Sequence, residues 1–196
     1  MRLVGIMIGI TVCSLCSAQP IQASVITLLT SDYELTLGDP NQGYFGNDIN
    51  NPFPINHAFD DTYTVGWFGS VKQRDYFSFL IPASLGPITA ATLELQRGGT
   101  EIEGAGVMYH LGSVSTDALT LSQNKGTRNL ALYNDLGAGA TYGDFPISDP
   151  SIPGDFFVDY DDLLSFPLNA AALNDLNAAQ GDYVTLGGSL KSTVFN

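Results

Sequence analysis

The stretch Arg74-Asp75-Tyr76-Phe77-Ser78-Phe79-Leu80-Ile81-Pro82-Ala83-Ser84-Leu85-Gly86-Pro87-Ile88-Thr89-Ala90-Ala91-Thr92-Leu93-Glu94-Leu95-Gln96-Arg97 decides how the chain is read. Phe77, Phe79 and Ile81 recur at a period of two. Ala91, Leu93 and Leu95 do the same, with Thr92, Glu94 and Gln96 opposite. Such alternation predicts two strands, each with one face on a core. Pro82, Gly86 and Pro87 interrupt it and mark the connection. Phe77, Phe79, Leu93 and Leu95 are therefore expected between two sheets.

Outward from this stretch the β habit continues. Ser24 to Leu37 opens with Val25, Thr27 and Leu29 in alternation, and Phe59 to Gly69 carries the single tryptophan, Trp67. Val107, Tyr109 and Leu111 alternate with Met108 and His110. Phe156 to Leu168 and Tyr183 to Gly188 are further strand candidates. Gly38 to Phe53 reads as a long loop, dense in Gly, Asn, Asp and Pro. Thr116 to Ala118 reads as a short turn, and Asn129 to Leu136 as either a strand or a helical turn. Asn169 to Gln180 differs. Asn169 can cap a helix, Leu173 and Leu176 share a face, and Gly181 can terminate it. Many short strands and one convincing helix predict an all-β chain: a two-sheet antiparallel β-sandwich, jelly-roll-like, with one short helix near Asn169–Gln180.

The 196 residues suit a single domain. Residues 1–23 are set apart as a secretory signal peptide. Arg2 precedes an apolar run from Leu3 to Leu15 that is short for a spanning helix. Small residues then allow cleavage after Ala18 or Ala23. A retained anchor is the other reading, and a lipoprotein is disfavoured because Leu15 precedes Cys16. Residues 24–196 form the expected single domain. They lack cysteine, since Cys13 and Cys16 both lie in the leader, so no disulfide or thiolate chemistry is expected. This combination suits a bacterial exported protein, in the periplasm or outside the cell. The end, Leu190 to Asn196, begins like another strand, and the domain is expected to be C-terminally truncated there; a complete, freely released module is the alternative.

The formal charge of −13 argues against nucleic acid and anionic membrane as partners. No apolar run after Ala23 approaches the roughly 20 residues a spanning helix needs. Calcium is the metal that such loops suit, since it takes carboxylate, amide and carbonyl oxygens. Asp39 and Asp48 in one loop and Asp159 and Asp161 in another are the candidate ligands, although neither region has the EF-hand pattern and a solvated acidic loop is the ordinary reading. Sugar binding uses exposed aromatic faces beside polar groups. Tyr44 and Phe45, in the Gly/Asn loop, are expected to be exposed, while Trp67 is a candidate that a core position would explain better.

Catalytic signals are sparse. His57 and His110 lack a Gly-x-Ser-x-Gly elbow to serve, and Glu94, Glu101 and Glu103 are the pool for a carboxylate pair. The glycine run from Gly137 to Gly143 lacks the Gly-Lys-Ser/Thr of a phosphate loop.

Four stretches carry a resemblance: Arg74 to Phe79, Ile88 to Leu95, Leu136 to Gly143, and Leu168 to Leu173 running on to Gly187-Gly188. Together they resemble exported bacterial β-sandwich proteins of the PEP-CTERM type, and the strand pair is similar to sandwich modules found beside carbohydrate-active enzymes. The Pro-Glu-Pro sorting motif of that type is not among the residues. The resemblance implies an exported sandwich and supplies no catalytic residues. The reading is thus a non-catalytic structural or adhesive module of the cell envelope or extracellular matrix, with extracellular polysaccharide or envelope components as partners. A carbohydrate-binding module is the first alternative and a glycan hydrolase or lyase the second.

Overall fold

The computed structural model describes residues 7–12, 24–32, 35, 41–48, 63–68, 70–96, 107–124, 129–147 and 163–192. They are mostly β, with antiparallel sheets and few helices. The strands are β1 (Met7–Val12), β2 (Ser24–Leu28), β3 (Gln42–Asp48), β4 (Gly66–Phe68), β5 (Val71–Leu80), β6 (Ile88–Gln96), β7 (Val107–Ser113), β8 (Thr141–Pro146), β9 (Leu163–Pro167) and β10 (Tyr183–Ser192). The helices are α1 (Ala118–Gln123), α2 (Leu130–Asp135) and α3 (Ala170–Ala178).

β5 and β6, adjacent in sequence, lie in different sheets. β6 belongs to a four-stranded sheet ordered β2-β1-β6-β9, and β5 to a six-stranded sheet ordered β3-β5-β10-β7-β8, with β4 also on β5. The Pro/Gly connection at 82–87 therefore carries the chain from one sheet to the other. The main core draws on both sheets. Phe77, Phe79, Leu93 and Leu95 are all buried in it, as their alternation predicts, with Leu111, Phe166 and Leu186. The other face of the six-stranded sheet carries a second apolar cluster of Phe45, Tyr76, Leu121, Leu132, Tyr133 and Leu136.

α3 starts where the sequence places it. Asn169 Oδ1 accepts from the amides of Ala171 and Ala172, and Gly181 follows with φ 90°. Two further helices, α1 and α2, go beyond the expected one. Asp117 caps α1 by accepting from Thr120 N–H at 2.8 Å, and Asn129 caps α2 by accepting from Leu132 N–H. Each covers the second cluster with Leu121 or with Leu132 and Tyr133.

Two other expectations change. Gly38 to Phe53 is not all loop, because Gln42–Asp48 is β3, paired along β5 from Phe77 to Val71. Its glycines suit that role: a Cβ on Gly43 would stand 3.1 Å from the Tyr76 ring. The stretch read as a leader also contributes a strand. β1 hydrogen-bonds β2 on one side and β6 on the other, antiparallel to both. Ile8, Ile10 and Val12 alternate along it, which suits a strand as well as a leader. Among the described residues, no helix is long and apolar enough to cross a membrane.

Candidate functional site

Of the binding and metal candidates, Tyr44, Phe45 and Asp48 fall on β3 and Trp67 on β4. Phe45 is 1% exposed and packs on Tyr76, ring centroids 5.8 Å apart, so its expected exposure does not hold. It occupies a strand position on the clustered face rather than a loop. Tyr44 is half-buried, opposite Asp75 in register. Asp48 ends β3 opposite Val71. Trp67 sits in β4 opposite Lys72. Asp39, Asp159 and Asp161 lie outside the described residues, as do His57, Glu101 and Glu103. Among the described residues, no three His, Cys, Asp or Glu side chains gather as metal ligands.

One juxtaposition is new. β3 and β4 flank the start of β5, so Asn47, Lys72 and Trp67 stand in one cross-strand row, and Asp48, Val71 and Phe68 in the next. Two candidate loops separated by many residues thus meet at one end of the six-stranded sheet.

The main polar constellations lie elsewhere. Asp75 alternates along β5 with the core residues Phe77 and Phe79 and is 0% exposed. Tyr109 Oη donates to it, 2.9 Å from Oδ1 and 3.1 Å from Oδ2. Burial pushes the Asp75 carboxyl up to about 7, against the lowering effect of the Tyr109 hydroxyl and nearby backbone amides. Burial, with the Asp75 charge beside it, likewise pushes Tyr109 well above its ordinary range. Gly188 faces this pair, and a Cβ there would overlap both the carboxylate and the phenol. Tyr63 closes one side, its ring 5.1 Å from Phe77 and its hydroxyl donating to the Gln96 carbonyl across to β6.

On the opposite face, His110, Asp144 and Lys191 join three strands. His110 Nδ1 is 2.6 Å from Asp144 Oδ1, and Lys191 Nζ is 3.0 Å from the same oxygen. Burial would raise the Asp144 carboxyl, but bonds from Lys191 and His110 outweigh it and hold it below its ordinary range. An ionised carboxylate only accepts, so Nδ1 carries the hydrogen. His110 is 4% exposed, and its Nε2 lies 3.5 Å from where a Cβ on Gly112 would stand. Ser189 is opposite His110 in register and is itself buried. The imidazole thus ties β7 to β8 and is itself buried.

Arg74 is equally committed. Its guanidinium lies 4.4 Å over the Tyr133 ring and donates to the Tyr133 and Asn134 carbonyls near the end of α2. Gly137 leaves room for it. The glycine run after α2 is therefore a packing requirement. Sequence reading could find the caps Asp117 and Asn129, but nothing in one sequence signals that Asp75 and Tyr109 would meet from separate strands.

No protein-family model matches the chain, and no curated protein or solved structure matches it.

Proposed function

We propose that the chain is a non-catalytic exported β-sandwich, jelly-roll-like, serving as a structural or adhesive module of the cell envelope or extracellular matrix. The observation that carries this reading is the use of two acid–base groups among the described residues, His110 and Asp75, as internal ties. His110 is held by Asp144 within the sheet, and Asp75 is buried against Tyr109. A general acid or base must reach the proton it transfers. Both groups are buried, Asp75 at 0% and His110 at 4% exposure. The core shared by both sheets supports the sandwich reading.

A carbohydrate-binding module is the second reading, and the register at the start of β5 favours it. That register aligns Trp67 and Lys72 with Asn47, beside Asp48. Aromatic and polar residues in neighbouring rows are the composition a sugar surface needs.

Retention of the exported protein on a panel of insoluble polysaccharides, with release of reducing ends measured in parallel, tests both. Retention by cell-envelope material without turnover supports the structural module. Retention by one polysaccharide that Trp67→Ala abolishes, in a protein melting like the parent, selects the carbohydrate-binding reading. Reproducible release of reducing ends overturns the non-catalytic one.

A further inference from the structure

β1 occupies the middle of a sheet, yet it belongs to the segment whose composition marks it for removal on export. The following inference rests on that export reading. Removal of residues 1–23 has two consequences at once. It opens the edge of β6 from Ile88 to Glu94, which β1 covers. It also strips β2 of β1, its strand partner in that sheet.

The open edge has a defined polarity. Leu168 N–H donates to the Ala91 carbonyl on the β9 side. Backbone groups alternate in direction along a strand, so Ala90, Thr92 and Glu94 turn theirs toward β1. An uncovered edge of this kind is a template for another strand.

β2 cannot fill the gap by sliding sideways in the sheet's present pattern. β1 is antiparallel to both neighbours, so β2 runs parallel to β6. Closing up within one chain would put a parallel pair into an antiparallel sheet. A second copy has no such constraint. Its Ile26-Thr27-Leu28 repeats the chemistry of Ile10-Thr11-Val12 and can enter in the same direction as β1. Val25 and Thr27 are exposed while Leu28 is buried, so β2 already alternates as the slot requires. A turn follows β2, in which Asp32 N–H donates to the Leu29 carbonyl and Thr30 is tied to Asn41 and Gln42.

We propose that the processed chain forms a reciprocal strand-exchanged dimer, in which β2 of each copy takes the place of β1 against β6 of the other. The exchange is isologous and closes on itself. In it Thr27 stands where Thr11 stands, opposite Ala90. Both Thr27 and Ala90 are exposed, so changing them leaves the core alone.

The processed chain has no cysteine, which makes the test direct. Thr27→Cys and Ala90→Cys are introduced together, and the exported protein is purified. Its N-terminus is read by mass spectrometry, and it is run on a non-reducing gel beside each single variant. The proposal expects a processed N-terminus, a covalent dimer from the double variant only, and twice the monomer mass for the parent by light scattering. A disulfide within one chain, or a processed parent that stays monomeric at tens of micromolar, overturns the exchange while leaving export intact. An exported protein that retains residues 1–23 overturns the export reading, and the exchange with it.

Discussion

Asp75 shows how one side chain ties solution behaviour to architecture. Its carboxyl is raised from an ordinary 3.8 to about 7 in the folded state, chiefly by burial. Between those values the folded chain keeps a proton that the unfolded chain has released. Stability from this group is therefore fullest below the ordinary carboxyl range, falls as pH rises towards 7, and is flat above it. Asp117, Asp135 and Asp144, held below their ordinary range, act in the opposite sense as pH falls. The difference between parent and Asp75→Asn isolates the buried group. Urea melts from pH 4 to 8 should show the parent losing stability relative to Asp75→Asn as pH rises. A constant difference across that range would mean the carboxyl is solvated. The raised carboxyl was not legible in the sequence, where Asp75 reads as one more polar residue before Tyr76 and Phe77. Alternation places it on the inner face, but only register brings Tyr109 to it and Gly188 opposite.

At the scale of elements, legibility followed the length and purity of the pattern. β5, β6 and α3 could be read because several residues repeat one period or carry both caps. β3 could not, because Gly43, Gly46, Asn47 and Asp48 have the composition of a turn and become a strand through pairing with β5. α1 and α2, six residues each, are too short to display a helical period. Asn169 does more than begin α3, since its Nδ2 donates to the Thr141 carbonyl and fastens the helix to β8. Asn169→Ala is expected to lower stability by about 0.5–2 kcal/mol, nearer the upper end because the tether goes with the cap. Equilibrium denaturation measures it; an unchanged midpoint would show that helix and tether are both dispensable. At the other end Asn177 mimics a backbone segment. Its Oδ1 accepts from Ile88 N–H and its Nδ2 donates to the Ile88 carbonyl, which fixes where β6 starts.

Across the whole molecule, the periodicity that predicted two core-facing strands did not reveal that they belong to different sheets. A connection of 82–87 is compatible with either arrangement, and the sheet assignment depends on partners distant in sequence. Phe79, 0% exposed, lies in the core to which both sheets contribute. Phe79→Ala is expected to cost about 3–5 kcal/mol, read as a large fall in melting temperature by circular dichroism. A variant melting with the parent would show that the core tolerates the hole. The candidate binding row at β3, β4 and β5 was legible only as separate aromatic and acidic residues, because the register that aligns them is a property of the assembled sheet.

The position of β10 sets a timetable. It follows the other described strands in sequence, yet it lies between β5 and β7 and bonds to both. A chain emerges from a ribosome or a membrane channel N-terminus first. For most of that passage, the two strands that will flank β10 have been delivered and the piece that joins them has not. Assembly of the six-stranded sheet therefore waits for residues 183–192, and long-range pairing of this kind is slow. Chains lengthened stepwise towards Ser192 should stay protease-sensitive in β5 and β7 and then gain resistance abruptly, once β10 has cleared the exit. A gradual gain from shorter chains onward would show that the sheet grows strand by strand instead. Until that last segment arrives, β5 and β7 lack the strand that joins them.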